Sequence, residues 1–358
     1  MSVTLSEIVP DRILLIRLGA VRDGLMTVPL AVDTKKIWPN SKLSWIVDGE
    51  MEHILQEHPR VDEVIRIEPN WLRRPRSWRS LKKLLTSKRF DLILDPQGVC
   101  KSAMLGWISG CQNRLGFDHP YSRELAAWLF TKKIRPTARH RVDVYRQLLS
   151  PWTDVQSGEG QFEVPSDPIA AAKVRHLVDR LFGVNQPWFA IYPGAIWNTA
   201  TWPIDRFALV AQQMRKSFDL PGLVVWSGQH EQLVASVIAE QSEGASKVAP
   251  KLNLKELVEL CRQATFVLAG DSDLLQIASS VGTNCISLHG PTWADEYGPY
   301  KLNEFAIQSP APRLTNRSMR SGSNISMQAI ESDEVIYYIN RLLRFMSLQE
   351  KNWNIEVA

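Results

Sequence analysis

Short apolar runs rich in β-branched residues recur along the chain, each followed by a longer segment with helical spacing of its apolar positions. In the first half the runs are Arg12–Arg17, Leu43–Val47, Glu63–Ile67 and Phe90–Asp95; in the second they are Trp188–Tyr192, Gly222–Ser227, Thr265–Leu268 and Asn284–Leu288. Helices are predicted over Asp23–Ile37, Ser77–Leu85, Ala138–Leu149, Ile204–Phe218, His230–Gln241, Leu254–Gln263 and Leu274–Val281. Strands that read as nearly continuous apolar runs belong to parallel sheets covered on both faces by helices. The pattern therefore predicts an α/β protein, and its occurrence in both halves predicts two Rossmann-like, doubly wound parallel-sheet domains. A chain of 358 residues is long enough for each to bury its own core. Prolines and glycines in Ser150–Asp167 interrupt the rhythm and mark a linker. The expected domains are 1–165 and 166–358. A terminal helix over about 332–348, with Val335, Ile336, Ile339, Leu342, Leu343 and Met346 on one face, is expected to pack back toward the first domain. Open sheets of this kind bind ligands beyond the carboxyl ends of their strands, so two facing domains predict a central cleft.

Composition removes several function classes. The net charge of +4 is too small for a protein that coats nucleic acid. Cys100, Cys111, Cys261 and Cys285 show neither CxxC spacing nor His-rich surroundings, which argues against a zinc site or a disulfide framework and fits a reducing cytoplasm. No basic-then-apolar leader and no long apolar run are present, so neither secretion nor membrane spanning is expected. Thirteen tryptophans suit packing first, and sugar faces or membrane surfaces second.

The first strand runs into Leu18-Gly19-Ala20-Val21-Arg22-Asp23, which puts Asp23 at the ligand-bearing edge of its sheet. A carboxylate there either caps the following helix or does chemistry. The loop lacks both the GxGxxG fingerprint and the GK[ST] ending of a phosphate loop, so nicotinamide chemistry and NTP hydrolysis lose support. In the second half Pro193-Gly194-Ala195 follows a strand and leads to Thr201-Trp202, and Asp271-Ser272-Asp273-Leu274 opens a helix whose amides suit a phosphate. Gly290-Pro291-Thr292 follows the last predicted strand. Basic residues gather at Arg73, Arg74, Arg76, Arg79, Lys82 and Lys83, at Lys101, and at Arg139, His140 and Arg141. Such runs are either solvated helix faces or the docking place of an anionic acceptor.

Taken in order, these segments resemble the ADP-heptose:lipopolysaccharide heptosyltransferases, over nearly the whole chain. The carriers are the loop ending in Asp23, Asp95-Pro96-Gln97-Gly98 followed by Lys101-Ser102-Ala103, Ser122-Arg123-Glu124, Pro193-Gly194-Ala195, Trp202-Pro203 with Arg206-Phe207, Asp271-Ser272 and Gly290-Pro291-Thr292. The DPQG-plus-KSA and SRE segments point to the type that adds the first heptose to Kdo. The resemblance implies the GT-B fold and an inverting transfer that needs no metal or other cofactor, with an ADP-sugar as donor substrate. It makes Asp23 the base. It implies donor contacts from Pro193, Gly194, Ala195, Thr201, Trp202, Asp271, Ser272, Leu274, Gly290, Pro291 and Thr292. Acceptor contacts are implied for Arg73, Arg74, Arg76, Gln97, Lys101, Arg123 and His140. The partners implied are a nucleotide-sugar and an anionic lipid-linked glycan of the envelope, with no nucleic acid and with peripheral contact at the cytoplasmic membrane face.

Four positions depart from the family pattern. Arg22 stands where the family has a glycine, Ala200 where it has a lysine, Asp273 where it has a glycine, and Gln276 where it has a histidine. Asp273 bears most directly on the donor, because two charges 4 Å apart repel by about 4 kcal/mol at an effective dielectric of 20. The alternative reading is a silent relative that binds a glycan or a protein partner.

Overall fold

The computed structural model describes residues 7–123, 125–195, 197–311 and 322–356. The chain divides into two compact units, Met1–Pro165 and Ser166–Ala358. The first holds strands β1 (Arg12–Ile16), β2 (Lys42–Val47), β3 (Glu63–Arg66), β4 (Leu92–Leu94), β5 (Arg114–Phe117) and β6 (Lys132–Ile134). The second holds β7 (Phe189–Tyr192), β8 (Gly222–Val224), β9 (Ser246–Val248), β10 (Val267–Gly270), β11 (Cys285–His289) and β12 (Ala306–Gln308).

The first sheet runs β3-β2-β1-β4-β5-β6 and the second β12-β11-β10-β7-β8-β9, every pair parallel. Both orders are the same doubly wound arrangement, and in each unit the first strand (β1, β7) sits beside the fourth (β4, β10). Connections leave that junction in opposite directions, which opens a crevice at the strands' carboxyl ends. Ile13, Leu14, Leu15 and Ile16 are completely buried, as strands covered on both faces must be. Phe189 and Ile191 play the same part in β7, and Phe189 stacks on Phe266 with ring centroids 4.8 Å apart.

The helices predicted over Ile204–Phe218 and Leu254–Gln263 stand with those bounds. The one predicted over Ala138–Leu149 is shorter, a helix over Arg141–Arg146 closed by a 3-10 turn over Gln147–Leu149. Strands β5, β6, β9 and β12 and the helices Cys100–Ile108 and Pro168–Phe182 went unpredicted. The segment read as a linker is pinned. His58 Nε2 meets the Phe162 carbonyl at 2.8 Å, Arg60 grips Glu163 through two bonds of 2.6 and 3.0 Å, and Asp167 caps the helix Pro168–Phe182. The terminal helix, Ser332–Glu356, buries Val335, Ile339 and Leu342 in the second unit's own core, beside Phe207, Val210 and Met214. Its apolar stripe thus has its partner surface in the second unit. Of the loop read over Ser309–Asn324, residues 312–321 lie outside the described residues, as does Glu124.

Candidate active site

The carboxyl edge of the first sheet is tied together by side chains from three loops. The Leu18 amide donates to Gln97 Oε1 at 3.0 Å, and the Gly19 amide donates to Asp48 Oδ1 at 2.6 Å. Asp48 Oδ2 in turn pairs with Lys101 Nζ at 2.6 Å. The loop after β4 is built on Asp95, whose Oδ1 accepts the amides of Gln97 and Gly98, each at 3.0 Å. Gly98 has φ +63°, and a Cβ there would lie 3.2 Å from the Ser122 Cα and the Tyr121 carbonyl, so a side chain would be strained and crowded. The Gly98 carbonyl accepts the Arg123 amide at 2.7 Å.

Asp23 lies in the first turn of the helix Val21–Ile37, whose N-cap is Ala20. The reading of Asp23 as the cap is therefore incorrect: the helix begins two residues earlier, and the carboxylate is used in ion pairs. Arg17 Nη2 lies 3.0 Å from Asp23 Oδ2, and Arg22 Nε lies 3.5 Å from Oδ1. Burial opposes ionisation of Asp23, but Arg17 and Arg22 outweigh it and hold the carboxyl below its ordinary range. Arg17 is itself buried; it donates to the Tyr145 hydroxyl at 3.2 Å, and its guanidinium lies 5.0 Å from that ring's centroid. Beneath this group Asp95 is completely enclosed, and burial pushes its carboxyl up to about 6 despite the amides of Gly98 and Gln97. Asp95 Oδ2 has no hydrogen-bond partner.

The predicted acceptor residues fall into three groups. Gln97, Lys101 and Arg123 converge on the loops after β1 and β4. Lys101 is already neutralised by Asp48, and Gln97 spends its carbonyl oxygen on Leu18. Arg73, Arg74 and Arg76 are exposed after β3, with Arg74 paired to Glu68 at 3.0 Å. His140 Nδ1 accepts the Val142 amide at 3.3 Å and so caps the short helix that presents Tyr145 to Arg17. Arg17, Tyr145 and Asp48 went unnoticed as site residues. The one signal for Arg17 was a charged residue closing an otherwise apolar buried strand.

In the second unit the loops after β7, β8 and β10 converge. Tyr192 OH donates to Glu231 Oε2 at 3.1 Å, and the same oxygen accepts the Ser227 amide at 2.7 Å and the Ser227 hydroxyl at 2.6 Å. Burial pushes the Tyr192 hydroxyl up strongly, and the negative charges of Glu231 and Asp273 add to it. A Cβ on Gly194 would lie 2.6 Å from Glu231 Oε1 and 2.7 Å from Tyr192 Cζ, so a side chain here would displace the Tyr192–Glu231 pair. Pro193 is buried with Gly194, and Ala195 is half-buried.

Ser272 caps the helix Asp273–Ser280, its Oγ accepting the Leu275 amide at 3.3 Å. Asp271, Ser272 and the Leu274 side chain are buried, whereas Asp273 is exposed in the first turn. Gln276 is enclosed and donates to the Tyr297 carbonyl at 2.7 Å. Gly290 packs against Met327, where a Cβ would come within 2.5 Å of the sulfur. Pro291 is buried, and Thr292 Oγ1 reaches the buried His289 Nδ1 at 3.5 Å. The Thr201 carbonyl accepts from Asn324 Nδ2 at 3.1 Å. Trp202 departs from its expected role in touching donor: its ring is sealed in the core, edge-on to Phe207, and its Nε1 donates to the Ile330 carbonyl at 2.9 Å. Burial of so large a ring makes it a brace for the loop rather than a contact surface.

Comparison with known proteins places the chain among glycosyltransferases. The chain is 27% identical over 315 residues to lipopolysaccharide heptosyltransferase 1 of Pseudomonas aeruginosa, covering 84% of each chain. It is 26% identical to the Salmonella typhimurium protein of that name, over 85% of this chain and 96% of the other. Among solved structures, a glycosyl transferase family 9 protein from Veillonella parvula superposes with TM-score 0.82 at 19% identity, covering 93% of this chain and 97% of its own. The E. coli heptosyltransferase WaaC with ADP-2-deoxy-2-fluoro heptose superposes with TM-score 0.71 at 21% identity, over 92% and 99%. The fold is that of the GT-B heptosyltransferases, as the resemblance implied. Residues 78–324 match glycosyltransferase family 9 (heptosyltransferase), and the chain belongs to that family of glycosyltransferases.

Proposed function

We propose that the protein transfers heptose from ADP-heptose to an anionic inner-core acceptor of lipopolysaccharide, with inversion and without a metal. The observation that carries this reading is Asp23, an ionised carboxylate fixed by Arg17 at the carboxyl end of β1. Asp23 takes the proton from an acceptor hydroxyl, and that oxygen forms the new bond to the anomeric carbon. The bond from that carbon to the diphosphate breaks, and its electron pair leaves with ADP. Backbone amides at the start of the helix Asp273–Ser280 suit the charge that develops on the leaving group. Gln97 and Arg123 in the loops after β4 and β5, with Arg73, Arg74 and Arg76 after β3, suit an acceptor rich in phosphate and carboxylate.

A second reading, binding without transfer, is favoured by one observation. Asp273 puts an exposed carboxylate in the helix turn where the first reading needs a diphosphate, near Tyr192 and Glu231. Calorimetric titration with ADP and with ADP-heptose separates the two. The transferase reading predicts saturable binding of both; no heat of binding at millimolar ligand would leave the second.

A further inference from the structure

Both oxygens of the Asp23 carboxylate face a guanidinium, and the two contacts differ in kind. Arg17 holds Oδ2 at 3.0 Å from an enclosed position, and is itself tied to the Tyr145 hydroxyl at 3.2 Å and the Pro96 carbonyl at 3.5 Å. Arg22 meets Oδ1 through Nε at the longer distance of 3.5 Å. The backbone that carries Arg22 and Asp23 is fixed on both sides. The Leu18 and Gly19 amides are bound by Gln97 and Asp48, and Gly24 packs so closely on Met51 that a Cβ would come within 2.7 Å of its side chain. The long Arg22 stem is therefore the part of this arrangement with rotamer freedom.

Transfer demands an open carboxylate oxygen. The acceptor hydroxyl has to donate to Asp23 before its proton is taken, and a carboxylate gripped at both oxygens by cations is covered and weakened as a base. Oδ1 is the oxygen that can be released, because Arg22 holds it less closely than Arg17 holds Oδ2 and is the less enclosed of the two, 13% against 7% exposed. A neutral acceptor offers the Arg22 guanidinium no replacement for Asp23, whereas an anion does. With Nε only 3.5 Å from Oδ1, that anion has to sit on the same sugar as the attacking hydroxyl. We propose that Arg22 is a specificity-determining latch, which covers the proton-accepting oxygen of Asp23 until an anionic group on the attacking sugar captures its guanidinium. Oδ1 then takes the hydroxyl proton, the hydroxyl oxygen bonds to the anomeric carbon, and the electron pair of the broken bond leaves with ADP. The latch rests on the transferase reading of Asp23, and it selects the acceptor in the chemical step rather than in binding alone.

The test is turnover of the whole protein with ADP-heptose on three acceptors: a Kdo-bearing lipid, the same lipid with the Kdo carboxyl methylated, and the same lipid stripped of its phosphates. In wild type, methylation should lower kcat by about tenfold, the scale of one charge-assisted hydrogen bond, while phosphate removal should raise KM alone. In R22Q the turnover numbers on the acid and its ester should become nearly equal, and the acid limb of kcat/KM should move to higher pH because Asp23 has lost a cation. R22K keeps the charge and should restore most of the discrimination. Methylation that changes only KM in wild type, a wild-type ratio of turnover numbers in R22Q, or a kcat that follows the lipid phosphates would each overturn the latch and leave the transferase reading standing. No product from wild type on any of the three would overturn both.

Discussion

Removing the Arg17 guanidinium while keeping its neighbours, as Arg17→Gln does, isolates the group that holds Asp23. At 3.0 Å the pair is worth about 5 kcal/mol at an effective dielectric of 20. The Asp23 side chain is 31% exposed, so screening reduces this to about 2 kcal/mol. Loss of the bond to the Tyr145 hydroxyl adds about 1 kcal/mol. A loss near 3 kcal/mol lowers the midpoint of a unit this size by about 6–12 °C. The pH dependence carries the sharper signature. A carboxyl held below its unfolded value contributes stability above about pH 3.9, and that stability disappears as pH falls through the folded value. Without Arg17, burial is opposed by Arg22 alone, so this acid-side loss should shrink in the variant and the acid limb of kcat/KM should move to higher pH. Urea unfolding from pH 2.5 to 7 and a rate profile measure both. A variant with the wild-type slope below pH 4 and an unmoved acid limb would show that Arg17 does not hold Asp23.

Asp95 has the opposite sign. Its carboxyl rises from the ordinary 3.8 to about 6, so stability is complete below the unfolded value and falls as pH rises between the two, by about 3 kcal/mol. Asp95→Asn should flatten unfolding free energy over that window; an unchanged slope would place the titrating group elsewhere. Asp273→Gly removes an exposed carboxylate from the first helical turn and should tighten ADP binding by about fivefold, equivalent to about 1 kcal/mol. It should also lower stability by about 1–2 kcal/mol, through the lost helix-dipole contact and glycine's low helix propensity. Unchanged ADP affinity by calorimetry would mean the diphosphate lies elsewhere. Trp202→Phe keeps most of the buried ring but loses the bond to Ile330, whose carbonyl Arg206 still serves, so about 1–2 kcal/mol should be lost with ADP affinity unaltered. A large drop in affinity at full stability would restore Trp202 as a donor contact.

The interior strands other than β5 are legible because burial on both faces leaves an unbroken apolar run, as in Ile13–Ile16. Among the edge strands β3 is legible, whereas β6, β9 and β12 are not. Lys132–Ile134 and Ser246–Val248 are three residues long and only partly covered, so their sequences carry no such run. The helix Cys100–Ile108 is apolar nearly all round and lacks the amphipathic stripe that marks the others. At the site, residues that precede a helix or follow a strand could be placed at the carboxyl edge from order alone. Which of them face outward could not, because that depends on packing: Trp202 turns into the core and His140 is spent as a cap. Tyr145 lies 128 residues from Arg17, so its meeting with the Arg17–Asp23 pair is a product of the fold. The terminal helix shows the same limit. Its stripe announces that a partner exists without saying which unit provides it.

The central claim, that Asp23 is the base of an ADP-heptose-dependent transfer, is tested most directly by one comparison. Wild type and Asp23→Asn are each mixed with ADP-heptose and a Kdo-bearing lipid acceptor, and the glycosylated product is followed by mass spectrometry. The account predicts product with wild type, with its rate lowered by about 100-fold or more in Asp23→Asn, the usual scale of a general base. Equal rates in the two proteins would contradict it.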